Sequence, residues 1–173
     1  MRAHEEIEFG EYVDARLPTL RRTAYFLCGD WHRAEDLAQT TLIRMYRAWP
    51  RLNAREAVDS YARQVLVRAF LDERRRSWRR ERSTGEVPDR ADGDSAAPYE
   101  VRAELLTALA LLPAQQRAVI VLRYWDDLSV EETARTLGIG EGTVKSYSAR
   151  GLTRLRELLP DASGLAPDTT ARK

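Results

Sequence analysis

The stretch STGEVPDRADGDSAAP, residues 83–98, is the feature that most constrains how this chain can fold. It consists largely of Gly, Pro, Ser, Ala and Asp, and Val87 is its one large aliphatic residue. Such a composition buries too little apolar surface to fold and is typical of a flexible, extended linker. We therefore expect two small domains, over residues 1–82 and 99–160, and a disordered tail over 161–173.

Apolar residues recur at spacings of three and four on both sides of the linker, which predicts amphipathic helices. The first such segment runs from Phe9 to Leu27. Pro18 lies inside it, so the helix is either kinked there or split in two. Nothing in the sequence requires a strand, and the predicted fold class is all-α, with two helical domains.

Two further helices complete the predicted first domain. Asp30 can cap a second helix, which ends near Trp49 because the following Pro50 disfavours helical backbone. The helical spacing predicts that one face of this helix is buried, and the residues on it are Ala34, Leu37, Thr41, Met45 and Trp49. A third helix, capped by Asp59 or Ser60, runs out into an arginine-rich end.

The charges cancel over the whole chain but not along it. The formal net charge is +1, whereas residues 61–82 hold eight arginines against three acidic residues, a net of +5. The linker at 83–98 has a net charge of −3. The arginine run fits two readings, the solvated end of a helix or a surface for nucleic acid.

Several classes of protein are excluded by what the sequence lacks. Cys28 is the sole cysteine and His4 and His32 the only histidines, so we expect no internal disulfide, metal site or cofactor. No apolar run approaches the ~18 residues of a membrane span, and the charged N-terminus does not resemble a signal peptide. Without a phosphate-binding glycine loop or a nucleophile elbow, an enzyme is not expected. A soluble, cytoplasmic protein is the expectation.

Residues 129–159 follow the pattern of a helix-turn-helix. Ser129 and Glu132 form a capping box, and Gly138 suits the left-handed residue that ends a helix. Ile139 then anchors the turn, and Gly140 caps the next helix. An exposed face of short hydroxyls and cations suits phosphates and base edges in a major groove, although a merely solvated helical hairpin gives the same pattern. The outward positions are Thr143, Lys145, Ser146, Tyr147, Ala149 and Arg150.

Two stretches resemble one known family. Residues 112–158, which include LGIGEGTVKS, resemble region 4 of bacterial sigma factors of the extracytoplasmic-function group. Residues 34–49, AEDLAQTTLIRMYRAW, resemble region 2.2 of the same group, and the basic helix after Tyr61 takes the place of regions 2.3 and 2.4. The two stretches occur in the family's order, with a linker where the family has one.

The resemblance implies a non-catalytic initiation subunit that binds core RNA polymerase and promoter DNA, with no membrane association. Region 2.2 would dock on the coiled coil of the largest polymerase subunit, and the second domain would hold the polymerase flap. An anti-sigma factor is a further possible partner. By position, the polymerase-binding residues are Asp36, Leu37, Gln39, Thr40 and Arg44.

The same resemblance assigns the promoter contacts. The loop at residues 52–60 would capture flipped bases, and the third helix would approach the −10 element. The candidates there are Asn53, Arg55, Asp59, Arg68, Arg74 and Arg75. The six outward residues of the last helix would read the −35 element. The alternative is a stand-alone helix-turn-helix regulator, but residues 1–82 show no βα alternation for a receiver domain.

The sequence departs from the family at three places. Arg68 stands where many relatives have Asn, and Tyr147 and Ser148 stand where Arg and a large aliphatic residue are common. We expect Leu152 to supply the missing apolar anchor one turn later. These departures bear on which promoter bases are preferred.

Overall fold

The computed structural model of the chain describes residues 2–52, 55–84 and 103–159, and every regular element in these ranges is helical. The all-α class is therefore confirmed. None of the described helices is long and apolar enough to cross a membrane. In chain order the elements are α1 (Ala3–Cys28), α2 (Trp31–Ala48), a 3₁₀ turn (Trp49–Arg51), α3 (Arg55–Thr84), α4 (Ala103–Ala110), α5 (Ala114–Ile120), a π-helical turn (Val121–Trp125), α6 (Val130–Leu137) and α7 (Glu141–Leu158).

Helices α1 and α2 meet at a tight corner built from local signals. α1 is a single helix that continues through Pro18 and ends at Gly29, whose φ of 73° is readily adopted only without a side chain. The next residue, Asp30, caps α2 by accepting a hydrogen bond of 2.7 Å from the Arg33 backbone amide. Of the predicted inward face of α2, four residues are at most 5% exposed and Trp49 is half-buried.

The predicted start of α3 is wrong by about one turn. The helix begins at Arg55, so neither Asp59 nor Ser60 caps it. The Asp59 carboxylate is bound instead by α1, where the Tyr12 hydroxyl donates at 3.1 Å and the Arg16 guanidinium at 2.7 Å. Because the Asp59 carboxylate already accepts two hydrogen bonds from α1, it is not available to accept one from a backbone amide at a helix N-terminus.

The second half forms the expected helix-turn-helix. Ser129 and Glu132 make the reciprocal capping box, with N···O distances of 3.1 and 2.8 Å. Gly138 has a φ of 66° and ends α6, and Gly140 stands at the N-cap of α7. Ile139 packs, partly buried, against the small core of this motif. The predicted capping and turn chemistry is confirmed.

The two halves pack against one another, which the sequence does not predict. One buried cluster contains Leu27 and Phe70 from the first half together with Leu112 and Leu122 from the second. Helix α6 lies against α3, and α4 and the π-helical turn lie against α1. Of the predicted linker, Ser83 and Thr84 belong to the end of α3. Its other residues and the tail at 161–173 lie outside the described ranges.

Candidate functional site

A groove between α2 and α3 brings most of the predicted polymerase-binding residues together. It has a volume of about 250 Å³ and is open to solvent on one side. Asp36, Leu37 and Thr40 line the groove from α2. The opposite wall, on α3, carries both acidic and basic side chains. The full lining is Arg33, Asp36, Leu37, Thr40, Arg44, Ala69, Asp72, Glu73 and Arg76.

The two walls of this groove are joined by an ion pair. The Arg33 guanidinium on α2 donates to the Glu73 carboxylate on α3 at 2.6 Å, with side chains 38% and 42% exposed. On the other side of α2, Arg21 of α1 pairs with Glu35 at 3.1 Å. Exposed pairs of this kind contribute little to stability, typically below about 1 kcal/mol. The two pairs connect α2 to α3 on one side and to α1 on the other.

The predicted polymerase-binding residues separate into two groups. Asp36, Gln39 and Arg44 are exposed and Thr40 is half-buried, so these four present polar groups to a partner. Leu37 is 5% exposed and belongs to the main core cluster. A partner can therefore reach only the edge of Leu37, at the bottom of the groove.

Sequence reasoning missed the α3 wall of the groove. Ala69, Asp72, Glu73 and Arg76 line it. Their spacing of three, one and three residues is that of one helix face, the signal by which they could have been found. The acidic residues within a basic helix matter because they change the local charge that a partner meets from positive to mixed.

The predicted −10 residues are placed on and around α3. Arg68, Arg74 and Arg75 are exposed along the helix. Asp59 is bonded to α1, and its side chain is 19% exposed. Asn53 lies outside the described residues, and Arg55 is described only as the first residue of α3. The three exposed arginines therefore place positive charge along α3, with Arg68 and Arg75 on one face, while Asp59 holds the first turns of the helix against α1.

The predicted −35 residues lie on the N-terminal half of α7. Lys145, Ala149 and Arg150 are exposed, and Thr143 and Ser146 are half-buried. The first turn of an α-helix has backbone amides without helical partners, and these favour anions such as phosphates. This part of α7 carries the hydroxyls of Thr143 and Ser146 and the cations of Lys145 and Arg150, a combination suited to a nucleic-acid backbone and base edges.

Two of the three departures from the family pattern, Tyr147 and Ser148, lie in the helix-turn-helix. Tyr147 is half-buried and packs against the core formed by Val119, Ala134 and Val144, so only part of its ring faces outward. Ser148 is 8% exposed and its hydroxyl has no hydrogen-bond partner. Leu152, one turn later, packs against the main core, as expected for the missing apolar anchor.

The chain matches two family models that correspond to these two sites. Residues 12–80 match sigma-70 region 2, and residues 102–155 match sigma-70 region 4. The first match contains the α2–α3 groove and the arginines of α3 up to Arg80, and the second contains the helix-turn-helix.

Comparisons of the whole chain with known proteins and solved structures agree with these two family matches. The chain is 41% identical over 158 residues to the RNA polymerase sigma-E factor of Streptomyces avermitilis, covering 91% of this chain and 88% of that protein. It is 35% identical over 156 residues to the ECF RNA polymerase sigma factor SigE of Mycolicibacterium smegmatis, covering 86% and 60%. Among solved structures it is similar to the Bartonella quintana sigma factor RpoE in its complex with the anti-sigma factor NepR. That match has a TM-score of 0.77 and 27% identity, and covers 90% of this chain and 98% of that one. The chain therefore belongs to the sigma-70 family, as a sigma factor of the extracytoplasmic-function group.

Proposed function

We propose that this sigma factor binds core RNA polymerase through the α2–α3 groove and directs promoter-specific initiation by recognising −10 and −35 elements. The observation that carries the proposal is the presence, on one chain of this family, of a polar docking groove and a helix-turn-helix with an accessible recognition face. Its role is non-catalytic, and it acts in the cytoplasm with the polymerase.

The groove is suited to receive another protein's helices. Asp36 lines the groove from α2, and the exposed Gln39 lies three residues further along the same helix, outside the groove lining. Polar rims of this kind set register and orientation, while the partly accessible Leu37 provides an apolar floor. A coiled coil, which carries polar side chains along its flanks, is the partner that this arrangement favours.

The two promoter-binding surfaces, on α7 and on α3, have different roles in recognition. Arg150 has a planar guanidinium with parallel donors that match guanine O6 and N7. Thr143 is short and stands in the first turn of α7, where it can position a phosphate together with the backbone amides. On α3, Arg68, Arg74 and Arg75 supply positive charge for the −10 region, where phosphate contacts determine affinity more than sequence preference.

Docking is tested by adding positive charge on α2, at Asp36 in the groove and at the exposed Gln39 beside it. Asp36→Lys combined with Gln39→Lys should abolish co-purification with core polymerase, because two cations replace the groups that face the partner. The matched control is Asp14→Lys with Ala15→Lys, which adds the same charge at two exposed positions of α1. Circular dichroism should show equal helical content for both variants. Unchanged co-purification of the Asp36/Gln39 variant would reject the groove as the docking site.

The alternative function, a stand-alone helix-turn-helix regulator, makes a different prediction. Such a protein binds its operator as a duplex without polymerase, whereas a sigma factor needs the core enzyme to form its promoter complex. A gel shift with and without core polymerase separates the two. We also propose an anti-sigma factor as a partner, and the complex of RpoE with NepR supports this.

A further inference from the structure

Helix α7 is held in the helix-turn-helix by one buried face. The four buried residues on it follow helical spacing, and they are Val144, Ser148, Gly151 and Leu155. Val144 packs in one cluster with Val119 of α5, and Gly151 lies against Ile120 of the same helix. Ser148 lies between these two contacts on the same face of α7, so it also faces α5. Two small residues therefore lie at the centre of the contact between α7 and α5.

The contact at Gly151 leaves no room for a larger residue. A Cβ on Gly151 would lie 2.8 Å from Cγ1 and 3.0 Å from Cδ1 of Ile120. Because ordinary contacts between carbon atoms are about 3.5–4.0 Å long, a methyl group here requires a displacement of about 1 Å. Ile120 is 6% exposed and packs in the main core cluster, so α7 takes up part of that displacement. The small size of residue 151 therefore determines how closely α7 packs on α5.

Ser148 contributes its size to this contact and not its hydroxyl group. The side chain is 8% exposed, and its hydroxyl has no hydrogen-bond partner among the residues that the structure describes. A buried hydroxyl without a partner destabilises a fold, so hydrogen bonding does not account for a serine here. What the serine provides is a short side chain between two packed helices.

A displacement of about 1 Å is large for side chains that contact bases. A hydrogen bond from an N–H group to an oxygen holds over about 2.7–3.2 Å, a range of roughly 0.5 Å. Arg150 is the neighbour of Gly151 in the chain, and Lys145 lies about 9 Å away along the helix axis at ~1.5 Å per residue. Both side chains move with α7 when its packing on α5 changes. A bidentate contact with a guanine is the most sensitive, because two hydrogen bonds have to form together.

We propose that Ser148 and Gly151 are positioning residues that set how closely α7 packs on α5, and thereby which base pairs of the −35 element the chain prefers. This proposal rests on the proposed function, because it takes α7 as the helix that reads the −35 element. Both residues are buried against α5, so they act through the exposed side chains of Lys145 and Arg150.

The packing of α7 is measured first in the free full-length protein, without DNA or polymerase. Gly151→Ala should shift the amide NMR resonances of residues 143–146, which lie more than one helical turn from the substitution. In an Ile120→Ala background the same substitution should leave these resonances unchanged, because the new methyl group no longer meets the isoleucine side chain. Gly10→Ala is the matched control, since it adds the same methyl group where nothing lies within 4 Å. Unchanged resonances of residues 143–146 in Gly151→Ala would overturn the proposal.

The promoter preference is then read from transcription of a library in which the −35 and −10 sequences are varied. Gly151→Ala and Ser148→Leu should each lower the discrimination between the preferred and the second base, at one or more −35 positions, by about fivefold or more. Their −10 preferences should match those of the wild-type chain, because α3 is unchanged. Ser148→Ala keeps the side chain short, so it should retain the wild-type −35 preference.

A merely structural role of these residues predicts a different result. Loss of stability alone would reduce transcription from all promoters in proportion and leave the −35 preference unchanged, and that outcome would overturn the proposal. A change of preference as large in Ser148→Ala as in Ser148→Leu would also overturn it, because the hydroxyl and not the size would then matter. If the wild-type chain shows no −35 preference with an active core polymerase, the proposed function of α7 is rejected. The NMR result then still decides whether these residues set the packing of the helix.

Discussion

Gly151 of α7 packs directly against Ile120 of α5, and its replacement by alanine tests the packing that holds the recognition helix. A Cβ at this position would meet Cγ1 of Ile120 at 2.8 Å and Cδ1 at 3.0 Å. Ile120 is 6% exposed and belongs to the main core cluster, so its side chain has little room to move. Gly151 therefore determines how closely the recognition helix can approach its support.

Two opposing effects set the magnitude of this substitution. Replacing glycine by alanine in a helix interior stabilises by about 1 kcal/mol, because the unfolded chain loses conformational freedom. Overpacking a buried contact costs about 1–3 kcal/mol. We expect Gly151→Ala to lower the free energy of unfolding by about 1 kcal/mol, which lowers Tm by about 2–4 °C in a chain of this size.

The assay is chemical denaturation followed by circular dichroism, with Ile120→Ala as the second arm of a double-mutant cycle. In the Ile120→Ala background the Cβ of alanine at 151 meets no isoleucine side chain, so the same substitution should become neutral or stabilising. Gly10→Ala is the control, because a Cβ there meets nothing within 4 Å, and it should stabilise α1. If Gly151→Ala stabilises the wild-type chain as much as Gly10→Ala does, the close helix crossing is wrong.

The remaining predictions concern the helix-turn-helix. Ser129→Ala removes the cap of α6 and should lower the free energy of unfolding by about 1 kcal/mol, as measured by the same denaturation. The backbone hydrogen bond from Ser129 holds the pKa of Glu132 below its usual 4.5, so the stabilisation by this carboxylate is present above pH 4.5 and is lost as the pH falls through the lowered pKa. The free energy of unfolding of the wild-type chain should therefore fall more than that of Glu132→Gln as the pH is lowered from 5 through the lowered pKa. Equal losses in the two proteins would show that the capping box is not the cause. Arg150→Ala should cost about 1–3 kcal/mol in promoter binding and relax preference at one or two base pairs of the −35 element, as read from transcription of a promoter library. Thr143→Ala should weaken all sequences more evenly, and unchanged base preferences with Arg150→Ala would place sequence readout elsewhere on α7.

The elements that could be predicted are those fixed by neighbours in sequence. Ser129 meets Glu132 three residues away, and Gly138 and Gly29 end their helices by their own backbone freedom. The buried face of α2 follows from helical periodicity alone. These signals depend on no distant contact, so they are present in the sequence before any tertiary structure is known.

The features that could not be predicted depend on distant partners. Asp59 is of a residue type that often caps helices, but its carboxylate accepts a hydrogen bond from the Tyr12 hydroxyl. Tyr12 lies 47 residues away, so this contact is not visible in the local sequence. Arginine is rarely buried, but Arg117 is buried because its guanidinium donates to the Leu27 carbonyl. Leu27 lies 90 residues earlier in the chain, so local sequence does not reveal this acceptor. Burial lowers the pKa of Arg117 to about 10, so the group still enters this contact as a cation at neutral pH. The packing of the two halves rests on such pairs, which no local pattern reveals.

Part of the candidate site was also accessible from sequence and part was not. The resemblance to region 2.2 gave the α2 residues, including Asp36 and Gln39, because the motif is contiguous. It gave Leu37 as a contact as well, although periodicity placed the same residue in the core, and the structure buries it. The α3 wall with Asp72 and Glu73 becomes part of the site only through tertiary packing against α2.

Run-off transcription with purified core polymerase on a library of genomic fragments measures directly whether this protein directs promoter-specific initiation. We expect discrete start sites only when this protein is added, and the transcribed fragments should share one sequence near −35 and another near −10. The Asp36→Lys/Gln39→Lys variant should yield none of these transcripts. No new start sites with an active core enzyme, or a protein that binds its target duplex equally well without polymerase, would contradict the assignment as a promoter-recognising sigma factor.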